Sequence, residues 1–108
     1  MKEESNKTKE LYDRTIAWAE KHNITNIHTQ ALKTYEEWSE TISELNHNRF
    51  GEDFEDGIGD SIIAFLIFCH IAGKDVLKCW EDSLNVIEKR TGRSVRGNFI
   101  KDEQVEKV

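Results

Sequence analysis

The stretch from Glu52 to Gly73 reads EDFEDGIGDSIIAFLIFCHIAG. Its first half is acidic and its second half is apolar on every side. The apolar run from Ile62 to Ala72 covers 11 residues, whereas a membrane-crossing helix needs about 20. It therefore reads as a core helix, starting near Asp53 and closed by Gly73 as a C-cap glycine. A helix that is apolar all round belongs at the centre of a bundle. The chain has no proline and only six glycines, which favours further helices over a turn-rich β fold.

Three more helices surround it. Upstream, Ala31, Tyr35, Trp38, Ile42 and Leu45 recur at spacings of three and four, predicting a helix from Gln30 to Asn48 with a core-facing stripe. NRFGED breaks it. A first helix spans Thr8 to His22, with Leu11, Ile16, Trp18 and Ala19 as its stripe, and NITNIHT is a polar connector with candidate N-caps. Downstream, Asp75 is placed to cap VLKCWEDSLNVIEKR, with Val76, Leu77, Trp80, Leu84 and Ile87 on one side and Gly92 ending it. RSVRGNFI reads as two short strands around an Arg96-Gly97 turn. The expectation is an all-α fold: a four-helix bundle with a short C-terminal β-hairpin, one domain over residues 1–108, frayed at 1–7 and 102–108.

The 108 residues carry a formal net charge of -6, which argues against a general affinity for nucleic acid or an anionic membrane. Charge is unevenly spread. Between Glu36 and Asp60 Arg49 is the only cation against nine acids, whereas Lys89, Arg90, Arg93, Arg96 and Lys101 follow one another with no acid among them. Such a pair of regions suits a metal and a phosphate, or else two solvated faces. Cys69 and Cys79 lack zinc-ligand spacing and read as two buried free thiols of a cytoplasmic protein. The polar start MKEESNKTKE lacks the apolar core of a signal peptide.

YEEWSE (Tyr35–Glu40) places Glu36, Glu37 and Glu40 within about one helical turn, and Glu44 extends the row. Like charges at these spacings cost roughly 0.2–0.5 kcal/mol per pair. By itself the row reads as a solvated face. Asp60 shares a helical face with Ala64, Ile67 and Ile71, and Asp56 lies one turn earlier. If the acidic face of the second helix packs on that edge of the third, Glu36, Glu37, Glu40, Asp56 and Asp60 converge. Oxygen-only ligation of this kind suits Mg²⁺ or Mn²⁺. His70 reads as a satisfied core or interface histidine, and Trp38 and Trp80 as packing residues.

QALKTYEEWSE followed by DGIGDSIIAFLIFC resembles the MazG-like, all-α nucleoside triphosphate pyrophosphohydrolases, and is most similar to their short, single-domain branch of phages and their hosts. The family signature is EExxE, a spacer, then ExxD. EExxE is present as Glu36, Glu37 and Glu40, and the aspartate of ExxD matches Asp60 in the phrase IGD. The tail IEKRTGRSVRGNFIKDE is similar to the GxFxK-like hairpin of the short branch. The glutamate of ExxD falls at position 57, where this chain has Gly57, and Asp56 points about 100° away around the helix.

The resemblance implies Mg²⁺-dependent (or Mn²⁺-dependent) hydrolysis of a (deoxy)nucleoside triphosphate to the monophosphate and pyrophosphate, in a homodimer or homotetramer. Glu37, Glu40 and Asp60 would hold the metal, with Asp56 as a further candidate. Glu36 and Glu40 are the candidate catalytic carboxylates, Glu36 as ligand or base. Lys33 matches a lysine upstream of EExxE in the short branch, and with Gln30 is a candidate for substrate contact. Lys89, Arg90 and Asn85 are candidates for the phosphate chain. The alternative is a MazG-like helical interaction or oligomerisation module without activity, which Gly57 favours.

Overall fold

A computed structural model describes residues 2–102, with side chains from residue 6 onward. Its elements are α1 (Lys2–Lys21), α2 (Ile27–Asn46), α3 (Glu52–Ile71), α4 (Val76–Glu88), β1 (Gly92–Val95) and β2 (Asn98–Lys101). The protein is thus all-α with four helices and a C-terminal hairpin among the described residues, as the sequence predicts. The described residues form two compact units, divided between Val76 and Leu77. Helix α1 begins at Lys2. The expected fraying at the C-terminus lies mostly outside the described residues, which stop at Asp102.

Each helix end in the first unit follows from local chemistry. Asn26 caps α2, its side-chain oxygen accepting the Thr29 N–H at 3.0 Å, which satisfies a donor the helix itself cannot. The acidic start of α3 sits where the helix dipole favours negative charge. All three helices close alike. Asn23, Asn48 and Gly73 adopt left-handed backbone angles. Paired hydrogen bonds then tie Asn23 to Glu20 and Ile24 to Ala19, Asn48 to Leu45 and Arg49 to Glu44, Gly73 to His70 and Lys74 to Cys69. This is the Schellman closure, and asparagine and glycine are the residues that tolerate it best.

Helix α3 is central in the first unit, packing on both α1 and α2. It supplies Ala64, Cys69 and Ile67, the last only 2% exposed. Burying such a side chain stabilises by roughly 1.5–3 kcal/mol. His70 meets Glu20 of α1 at 3.2 Å, so it is the satisfied histidine that its place in α3 suggested.

The packing of α2 corrects the sequence expectation. Its apolar stripe does not face α3: Tyr35 is 72% and Trp38 54% exposed, and Ile42 and Leu45 are exposed too. The helix meets α3 through Gln30, Thr34, Glu37, Thr41 and Glu44, which are buried or half-buried. These too recur at spacings of three and four. The seam works because its polar groups are satisfied internally. Thr34 and Thr41 donate to the carbonyls of Gln30 and Glu37 at 2.9 Å, and the Gln30 amide donates to the Ala64 carbonyl at 3.0 Å. Small partners then allow close approach. A Cβ placed on Gly57 would lie 3.2 Å from Thr41 Cβ and closer still to its hydroxyl.

In the second unit α4 buries none of its residues, so the Leu77, Trp80, Leu84 and Ile87 stripe is uncovered there. Trp80 is accordingly not the packing residue expected, and Cys79, off that stripe, is exposed while Cys69 is buried. The antiparallel strands pair Gly92 with Lys101 and Val95 with Asn98. Arg96 and Gly97 both have positive φ, the requirement of a two-residue type I′ turn whose twist matches the strands. Gly92 leaves room for the backbone carbonyl of Ile100, which a Cβ there would overlap, and for the Phe99 ring, whose Cζ would lie 2.8 Å away.

Candidate functional site

The α2–α3 pair runs antiparallel, joining Gln30 to Ala64 and Thr41 to Gly57. The second half of α2 therefore faces the first half of α3. Between them lies a groove of about 390 Å³, lined by Glu37, Glu40, Ser43, Glu44, Asp53, Asp56, Gly57 and Asp60. Six of these eight residues are acids, from two separate helices.

Four of the five carboxylates expected to converge line this groove: Glu37, Glu40, Asp56 and Asp60. Glu36 does not. It is one residue, and so about 100°, around the helix from Glu37, away from the seam. Glu44 and Asp53 take part instead. They were legible as continuations of the seam spacing, Glu37–Thr41–Glu44 and Asp53–Gly57–Asp60, once that seam is known. Asp60 is exposed rather than buried, so the high cost of burying a lone carboxylate does not arise there. Gln30 lies away from the groove, 7% exposed, with its amide tied to Ala64. Asn85, Lys89 and Arg90 belong to the second unit.

Two of the acids are already neutralised. Lys33 Nζ lies 2.8 Å from Glu37, whose side chain is 12% exposed. The hydrogen bond to Glu37 and its charge, with help from Glu36 and Glu40, raise the Lys33 pKa. Arg49 reaches back over the end of α2 to Glu44 with bonds of 2.6 and 3.3 Å. That hydrogen bond, aided by the Arg49 charge, holds the Glu44 carboxyl below its ordinary range. Glu40, Asp53, Asp56 and Asp60 make no ion pair or side-chain hydrogen bond among the described residues.

Glu44 yields a pH dependence of definite sign. Its folded pKa lies below the unfolded value of about 4.3. The Arg49 link therefore contributes fully above that value and is lost as pH falls through the folded pKa. Glu44→Gln is expected to melt lower than the parent at neutral pH and to converge with it as pH falls through the lowered folded pKa of Glu44. A melting-temperature difference that stays constant across the acid limb would refute the link.

Four carboxylates without partners, supported by two ion-paired ones, form an oxygen-only donor set. Among the described residues no three His, Cys, Asp or Glu side chains gather closely enough to hold one ion. The groove is thus not an all-protein cage. Its chemistry fits a hard cation that keeps several waters and takes one or two carboxylates plus phosphate oxygens, the habit of Mg²⁺. No helix among the described residues is long and apolar enough to cross a membrane. No family model, curated protein or solved structure compared with the chain matches it.

Proposed function

We propose that the protein is a MazG-like pyrophosphohydrolase, converting a (deoxy)nucleoside triphosphate and water to the monophosphate and pyrophosphate with Mg²⁺ or Mn²⁺. The observation that carries this reading is the groove in which Glu37 and Glu40 of α2 meet Asp56 and Asp60 of α3. One or two of Glu40, Asp56 and Asp60 would hold the metal together with phosphate oxygens and waters, and Glu37, anchored by Lys33, would orient waters around it. A bound Mg²⁺ supplies charge neutralisation on phosphate oxygens and a more acidic water. Glu40, which lines the groove, is better placed than Glu36 to accept a proton from that water.

The test is pyrophosphate release across a panel of canonical and modified nucleotides with either metal. Turnover of at least one supports the reading, and none across the panel refutes it. A second reading, a helical interaction module without activity, is favoured by Gly57. In this chain that position serves the close approach of α2 and α3 rather than a carboxylate. The module predicts no rise in melting temperature at millimolar Mg²⁺ or Mn²⁺, with or without nucleotide, whereas a bound ligand stabilises the native state.

Self-association belongs to the same proposal. On α2 the charged residues Lys33, Glu36, Glu37, Glu40 and Glu44 all fall on one side, and roughly the opposite half carries none. That half bears Tyr35, Trp38, Ile42 and Leu45, all exposed. Two copies of an acidic chain can meet there without opposing like charges, and uncharged, aromatic-rich surface marks interface cores. A homodimer or homotetramer is expected by light scattering. Trp38→Glu is expected to cost about 2 kcal/mol or more of association, roughly thirtyfold in Kd. A monomeric parent at micromolar concentration would refute this. The free thiols Cys69 and Cys79 suit a cytoplasmic location, where they stay reduced.

A further inference from the structure

We propose that Arg49 is a resident cation of the acidic groove, occupying the end nearest the α2–α3 turn so that the groove takes one divalent ion rather than two, a proposal that rests on the groove being the metal site. Arg49 is the only cation between Glu36 and Asp60. It stands on the turn that joins the two walls of the groove.

Six acids brought together from two helices repel one another, and the cations that offset them sit at the two ends. Lys33 meets Glu37 at one end, and Arg49 meets Glu44 at the other. Between them Glu40, Asp56 and Asp60 have no ion-pair partner among the described residues. A hard ion that keeps its waters takes one or two carboxylates, so the middle of the groove suffices for one ion. The antiparallel register that sets Thr41 against Gly57 places Glu44, one turn on, at the level of Asp53. Both line the groove, from opposite walls. They are the oxygen pair that a second ion would use, and the guanidinium holds one of them.

Arg49 is fixed there twice. Its N–H donates to the Glu44 carbonyl at 2.9 Å, and its side chain donates to the Glu44 carboxylate at 2.6 and 3.3 Å. The Glu44 side chain is only 19% exposed, and a carboxylate so far withdrawn from water needs a positive partner. The hydrogen bond to Glu44, then the charges of Glu44 and of Asp53, raise the Arg49 pKa, so the cation serves both walls. A guanidinium is never lost to titration, which makes it a permanent occupant where a metal would exchange. The dipole at the end of α2 favours a cation near this position. It does not dictate that the cation take a carboxylate lining the groove.

The test counts Mn²⁺ bound to the full chain, from the loss of free-ion electron paramagnetic resonance signal during titration at low ionic strength without nucleotide. One ion per chain is expected for the parent and two for Arg49→Gln. Combining Arg49→Gln with Glu44→Gln returns the count to one, because the second oxygen pair is broken. A purely structural Arg49 would alter the melting temperature without this gain and loss of an ion. Arg49→Lys, which keeps the charge, stays at one, as does Arg14→Gln, which breaks an ion pair on α1. Should Arg49→Gln lose its circular dichroism, the parent count decides: one ion supports the proposal, and two or more overturn it. A parent that binds no Mn²⁺ saturably defeats the metal-groove reading and this proposal with it. A parent with two ions, or a folded Arg49→Gln protein with one, overturns this proposal alone.

Discussion

Asp60→Asn is expected to abolish Mg²⁺-dependent pyrophosphate release while leaving the fold intact. Losing a carboxylate that holds a catalytic metal removes several kcal/mol of transition-state stabilisation. At about 1.36 kcal/mol per factor of ten, the rate falls on the order of a hundredfold or more. The stability outcome has the opposite sign. Asp60 is exposed and has no ion-pair partner among the described residues, and it shares the groove with Glu40, Asp53 and Asp56. Removing one of several like charges relieves repulsion, so the metal-free melting temperature holds or rises. Glu55→Gln changes an exposed acid on α3 outside the groove and is expected to leave the rate unaltered. Full activity in Asp60→Asn would end the metal-groove reading. A loss of activity accompanied by unfolding would instead assign Asp60 a structural role.

The second large effect concerns Gly57. Gly57→Glu, which places a glutamate where the ExxD pattern would have one, is expected to destabilise the protein rather than improve it. The new side chain would start 3.2 Å from Thr41 Cβ and 3.4 Å from Thr41 Cα. Overpacking costs about 1–3 kcal/mol, and forcing a carboxylate into the helix seam adds to it. A total of about 3 kcal/mol lowers the melting temperature by more than about 10 °C in a protein of this size. Gly57→Ala is milder, because alanine recovers about 1 kcal/mol of helix propensity. Its cost is expected to shrink further in a Thr41→Ala background, where the hydroxyl it meets is gone, and a double-mutant cycle measures that coupling. A Gly57→Glu protein as stable as the parent would show that α2 and α3 do not approach as described.

These two expectations show how much of the site was legible in advance. Glu37, Glu40, Asp56 and Asp60 were nominated from spacing and from the resemblance, and all four line one groove. Glu36 belongs to the same acidic row by spacing, four residues before Glu40, yet it does not line the groove. Which of two adjacent glutamates meets a neighbouring helix depends on how α2 is rotated about its axis, and no local signal records that. Gln30 was nominated as a substrate contact for its place beside the motif. Its burial against Ala64 depends on a residue 34 positions away. Glu44 is legible as an extension of the acidic row but, like Asp53, joins the groove only as a member of a seam that exists when both helices are in place.

The helices, their ends and the hairpin were determined by the sequence itself. Capping by Asn26, left-handed closures at Asn23, Asn48 and Gly73, and the Arg96-Gly97 turn all act over a few neighbouring residues. The tertiary structure alone decided which face of α2 meets α3. Two faces of that helix carry the three-and-four spacing, one of Tyr35 and Trp38 and one of Gln30, Thr34 and Thr41. The second wins because Gly57 and Ala64 of α3 leave space for it, and because its threonine hydroxyls and glutamine amide find acceptors within the pair. That choice leaves the aromatic stripe uncovered and turns the glutamates toward the aspartates. It is a matter of steric fit between distant segments, which hydrophobic periodicity does not encode.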